Sequence, residues 1–234
     1  MKTSESIAMF AITTTVLVSF IYFIFLDKIK KANNCNSRSR IIFLYALRKI
    51  TGFLLLGLVP ATMVYLFFSF TPGNAGFFCV KTASLWLYIS GASLFFITLN
   101  IFNSKNVGLR AMYPELRLME WNITALAISI GGWVLYLTAY EYLFRGILLL
   151  SCIEAFGLWP AVTINLALYA ALHLPKGMKE AIAAIPFGAL LCYLTIESHS
   201  LIPAVFIHSV QAISCELFCI WRNPNMKIKN IAKT

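Results

Sequence analysis

Apolar residues run through this chain in long blocks with short polar breaks between them. The first block, Ile7 to Leu26, has about the 20 residues that cross a bilayer core. Only Lys2 precedes it as a basic flank and no small-residue cleavage site follows, so a retained helix is expected. Asp27 to Arg40 reads as a loop carrying Lys28, Lys30, Lys31, Arg38 and Arg40. The block from Ile41 to Phe70 is too long for one simple span, and Arg48 and Lys49 interrupt it. The pattern predicts an interfacial turn of helix to about Lys49, then a span from Thr51 to Phe70. Thr71-Pro72-Gly73-Asn74 is a turn signal. Further spans are expected at about 82–102, from near Asn122 to about Leu150, from Ala161 to Leu174, at about 181–196, and from Leu201 to Ile220. Gly157 with Pro160, Pro175-Lys176-Gly177 and Glu197-Ser198-His199-Ser200 mark the turns between the last four.

The fold class that follows is all-α: a polytopic transmembrane bundle of about seven helices, or eight if the stretch near 41–49 forms its own. Composition agrees. The chain is 60% hydrophobic and 12% charged, with a mean hydropathy of +0.80. A soluble domain carries roughly twice that charged fraction. No soluble segment stands before, between or after the apolar blocks, so residues 1–234 are expected to form a single integral-membrane domain whose solvent is the lipid bilayer.

The net charge of +10 does not point to nucleic acid, because the basic residues sit in short loops beside apolar blocks. The loops at 27–40, 103–121 and 175–180 and the C-terminal tail hold nearly all the loop Lys and Arg. The loops near 71–81, 151–160 and 197–200 hold only Lys81. This asymmetry predicts an outside N-terminus and a cytoplasmic C-terminus. The six cysteines form no CxxC pair and read as small buried hydrophobes.

Ionisable groups inside spans are costly and persist when paired or functional. Glu141 and Arg145, at i and i+4, share a helix face within ion-pair reach. His173 ends a polar stripe with Tyr169 and Asn165 one and two turns before it. His208 lies inside the last span with Gln211 at i+3, whereas His199 falls in a turn and is expected to be solvated. A glutamate near two histidines can act as general base on water, with the imidazoles stabilising an oxyanion. The same residues could ligate zinc and leave a position for water, or serve a proton-coupled transporter. Spacing alone leaves all three open.

At these residues the chain resembles the CPBP family of intramembrane proteases, which includes Ras-converting-type CAAX prenyl endopeptidases and bacterial relatives linked to bacteriocin immunity. The family's Glu-Glu-x-x-x-Arg motif is matched by Tyr140-Glu141-Tyr142-Leu143-Phe144-Arg145, followed by Gly146. Its Phe-x-x-x-His motif is matched by Tyr169 to His173, and its His-x-x-x-Asn motif by His208 to Ala212, with Gln211 adjacent. Ser200-Leu201-Ile202-Pro203-Ala204 and Met112-Tyr113-Pro114 are also similar to the family, and the likeness spans about residues 110–215. The departures are Tyr140, where the family has its first Glu, and Ala212, where it has Asn.

The resemblance implies an intramembrane endopeptidase in a prokaryotic cytoplasmic membrane, acting on a membrane-anchored or peptide substrate. In the family the first Glu is generally taken as the water-activating base. Here that role is expected to pass to Glu141, with His173 and His208 stabilising the tetrahedral intermediate and Arg145 holding Glu141. Tyr140, Tyr169, Asn165 and Gln211 are expected to support them. No cofactor is expected; the alternative is zinc on Glu141, His173 and His208. The alternative function is a catalytically inactive scaffold or immunity protein.

Overall fold

The computed structural model describes residues 4–32, 37–69 and 83–229. Its helices are α1 (Ser4–Ala32), α2 (Arg38–Phe53), α3 (Val59–Phe68), α4 (Ala83–Asn103), α5 (Val107–Met112), α6 (Ile123–Glu141), α7 (Leu150–Phe156), α8 (Leu158–Ala171), α9 (Met178–Ser198) and α10 (Ile202–Arg222). Wider π-helical turns join α2 to α3 (Leu54–Leu58) and α6 to α7 (Tyr142–Leu149). Seven helical stretches among the described residues are long and apolar enough to cross a membrane. The protein is an all-α polytopic bundle and an integral membrane protein.

Arg38–Phe68 is one continuous helical stretch, so the helix expected to about Lys49 runs on into the span, and the described residues hold seven such stretches. The reason is local. Lys49 is buried, and its ammonium meets Glu115 Oε2 at 3.0 Å and the Trp133 ring. A charge satisfied in this way does not have to end the span at the interface. The fourth span runs to Phe156, beyond the expected Leu150, because the helix continues through its π turns. Gly157, at φ 82°, makes the whole break before α8, a conformation glycine adopts without steric cost. Pro160 lies in the first turn of α8, where its missing N–H costs no helical bond. The turn at 71–74 and Lys81 lie outside the described residues.

Lipid offers helices little hydrophobic reason to associate, so close backbone approach does that work. The seam of α6 with α2 and the π turns that follow it is built this way. A Cβ on Gly57 would lie 2.7 Å from Ala139 Cβ, and one on Gly132 would lie 2.9 Å from the Tyr45 ring. Asn100 joins α4 to α10, its Nδ2 donating to the Gln211 carbonyl and to Ser214 Oγ, each at 2.8 Å. Asn122 caps α6 by accepting from the Ala125 N–H at 3.0 Å.

A two-stranded parallel ribbon, β1 (Glu120–Trp121) with β2 (Lys227–Ile228), was not foreseen. Lys227 N–H donates to the Met119 carbonyl and Lys229 N–H to Trp121, both at 2.8 Å. Two-residue strands carry almost no periodicity, and the pairing spans the whole core.

Candidate active site

Glu141 is the last residue of α6, and Arg145 lies in the π turns that follow. Both are fully buried. Arg145 Nη1 meets Glu141 Oε2 at 3.0 Å, the i,i+4 pair expected from the sequence. The guanidinium also lies 4.3 Å from the centre of the Tyr169 ring, a cation–π contact that holds it from the other side.

The second carboxylate oxygen of Glu141 is 2.5 Å from His208 Nδ1. A carboxylate has no proton to give, so Nδ1–H donates and Nε2 is left with its lone pair. His173 is fixed in the same tautomer. Its Nδ1 is 2.8 Å from the Tyr169 carbonyl, which can only accept. Tyr169 thus sits between Arg145 and the His173 ring, whose centre is 4.6 Å from its own.

His173 and His208 line one cavity of about 650 Å³, together with Tyr140, Tyr136, Trp133 and Lys176. Glu141 does not line it and reaches it only through His208. The residue at the wall, one position earlier, is Tyr140. Its ring stacks on Phe144 at 4.7 Å, and its hydroxyl is buried without a hydrogen-bond partner among the described residues.

Of the expected supporting residues only Tyr140 lines the cavity; Arg145, Tyr169, Asn165 and Gln211 do not. Asn165 is buried between helices. Its Nδ2 donates to the Phe144 carbonyl at 2.6 Å and its Oδ1 accepts from Cys192 Sγ at 3.3 Å. Phe144 lies in the π turns, where widened helix bonding leaves carbonyls in need of donors. Gln211 enters through its backbone carbonyl alone, and Ala212 packs against Trp133 and Leu137. Among the described residues no three His, Cys, Asp or Glu side chains gather at metal-binding distance.

The rest of the cavity wall was not anticipated. Tyr113, Glu115 and Arg117 come from the stretch between α4 and α6, outside the spans. Burial works against ionising Glu115, but Lys49 and then Arg48 outweigh it and hold the carboxyl down to about 2. Burial pushes the Tyr113 phenol up to about 12 against the opposing charge of Lys176, whose Nζ donates to its oxygen at 3.2 Å. Two signals were present, the likeness at Met112-Tyr113-Pro114 and the Arg48-Lys49 interruption, but neither says what meets what.

Residues 120–214 match the family described as type II CAAX prenyl endopeptidase Rce1-like. That stretch is similar to the Rce1-like family. The motif resemblance is borne out over the segment that holds Glu141, Arg145, His173 and His208. The match supports a CAAX-type intramembrane protease kind for an integral membrane protein of this Rce1-like type. No curated protein and no solved structure matches the chain.

Proposed function

We propose that the chain is an endopeptidase that hydrolyses a peptide bond in a membrane-associated peptide or protein, inside the cavity that His173 and His208 line. The observation that carries this reading is the 2.5 Å contact from Glu141 to His208 Nδ1. It leaves His208 Nε2 as a base, with a buried carboxylate behind it to stabilise the imidazolium. Water held at His208 Nε2 and His173 Nε2 attacks the scissile carbonyl. His208 takes the proton from the water as the carbon–oxygen bond forms, and returns it to the leaving amine as the carbon–nitrogen bond breaks. The positive charge gained by His208 faces the developing oxyanion. Glu141 acts through His208, and Arg145 fixes Glu141. No step needs a metal or cofactor. The proposed setting is a prokaryotic cytoplasmic membrane with the N-terminus outside and the C-terminus inside, on the loop-charge asymmetry.

Cleavage of a membrane-peptide pool by purified protein tests this. H208Q and E141Q are each expected to lose about 10²- to 10⁴-fold in turnover with the fold retained. Equal turnover in wild type and E141Q would remove Glu141 from the chemistry. Loss in E141Q with retention in H208Q would make Glu141 itself the base on water.

A second reading has its own observation. Tyr140 walls the cavity where the family places its first Glu. A phenol is a poor base near neutral pH. A non-catalytic scaffold or immunity protein predicts no cleavage by wild type and an intact phenotype in E141Q and H173A.

A further inference from the structure

Two buried charges in this molecule take no part in the chemistry above. Lys49, on α2, is 3% exposed, and Glu216, on α10, is 2% exposed. Both lie within membrane-spanning stretches, where an ionisable side chain is costly and asks for a reason. They come from different helices, and both are directed at the same loop residue, Glu115. Lys49 Nζ meets Glu115 Oε2 at 3.0 Å, and Arg48 Nη2 meets the same oxygen at 3.3 Å. Glu216 Oε1 accepts the Glu115 backbone N–H at 2.7 Å. Side chain and backbone of one residue are therefore held by separate helices.

Glu115 belongs to the strap 111–117, which lies outside the spans. The strap contributes Ala111, Met112, Tyr113, Glu115 and Arg117 to the wall of the cavity, while His208 lies within a span. The strap is thus a part of the wall that lies outside the spans. It is tied a second time where Lys176 donates to Tyr113 at 3.2 Å, and Lys176 is the last residue of the tight turn that His173 begins. Arg117 braces the strap from within, donating to the carbonyls of Arg110 and Ala111.

We propose that Glu115 is a positioning residue: clasped by Lys49 and Glu216, it seats the strap against the cavity and sets access to His173 and His208. The chemistry of the clasp suits the task. A charge-assisted bond shared by two cations is strong, and it acts beside the packing of Leu116 and Tyr113 against the bundle. Releasing it lets the strap open locally while the spans stay folded. The inference rests on the proposed peptidase only for its catalytic readout.

The test uses the full chain in proteoliposomes, with Cys35 and Cys79 replaced by serine and the cavity-lining substitution Leu172→Cys added. The four described native cysteines are buried. The rate of labelling by a charged, membrane-impermeant thiosulfonate reports access. E115Q is expected to raise that rate on the order of tenfold, E115D to leave it within about threefold, and K49M to fall between them. Fluorescence-monitored unfolding confirms that each variant is folded; if E115Q is not, K49M decides on the same scale. Peptide turnover should show a changed KM with kcat nearly kept. A labelling rate within about twofold of wild type in a folded E115Q overturns the proposal. So does a loss of kcat with labelling unchanged, which would put Glu115 in the chemistry. Faster labelling in a protein that cleaves nothing keeps the clasp and removes the peptidase reading.

Discussion

The Glu141–Arg145–His208 cluster lies wholly inside the bundle, whereas the Lys49–Glu115–Glu216 cluster ties two helices to a strap outside the spans. In the first, two of three members are neighbours on one helical stretch, four residues apart. In the second, 66 and 101 residues of chain separate Glu115 from Lys49 and Glu216. Local spacing builds the first and tertiary packing builds the second. The first is sealed at its Glu141–Arg145 pair, both fully buried, and meets the cavity only through His208. The second borders solvent, since the Glu115 side chain keeps 14% of its exposure. A sealed pair holds its energy in place, while a bordering one can be exchanged for water.

The largest effect expected from that difference is on the sealed pair. Glu141→Leu leaves Arg145 buried without its partner and should cost about 3–5 kcal/mol, read by thermal unfolding in detergent. The double variant E141L/R145M should recover most of that stability, since an apolar pair of similar volume fits a dry site, while peptide turnover stays lost. Failure of the double variant to recover would mean that the charges do more than answer each other.

The strap cluster should respond less, and to pH. Removing the Glu115 charge in E115Q should cost roughly 1–3 kcal/mol at neutral pH. The Glu115 carboxyl titrates near 2 in the fold, below its ordinary value of 4.5. A group whose folded value is depressed stabilises the fold fully above the ordinary value and loses that contribution as pH falls through the folded one. The difference in unfolding temperature between wild type and E115Q should therefore shrink as pH drops from about 5 towards 2. A difference that stays constant over that range would show that the Lys49 contact carries little of the strap's stability.

Tyr140 gives the smallest expected effect. Its buried hydroxyl has no partner among the described residues, so Tyr140→Phe removes a desolvated group and breaks no bond. Stability should hold or rise by up to about 1 kcal/mol, with turnover within about threefold of wild type. A loss of a hundredfold or more would instead give the hydroxyl a place at the oxyanion.

The same contrast explains what could be read from the chain. The spans, the Glu141–Arg145 pair and the order of the three motifs are written in periodicity and spacing, and each is legible. The stripe Asn165–Tyr169–His173 was legible as one helix face, but not its division of labour. His173 faces the cavity, Tyr169 stands behind it against Arg145, and Asn165 serves the Phe144 carbonyl. That last role depends on the π turns, which no hydrophobic pattern announces. Lys49 is a related case. A lysine in an apolar block signals an interface unless something distant answers its charge, and the sequence does not display the distant partner.

The ribbon of β1 and β2 bears on how such a unit can be moved about. It joins Glu120–Trp121, where the family match begins, to Lys227–Ile228, a little beyond where it ends. The start of the matched segment and the chain just beyond its end are thus side by side, like the clasp of a bracelet. Neighbouring ends are the geometric condition for cutting a domain elsewhere and rejoining it, or for inserting it whole into another chain. Helices α1, α2 and α4 pack directly against this segment, on α7, α6 and α10, so any such cut has to keep those seams whole.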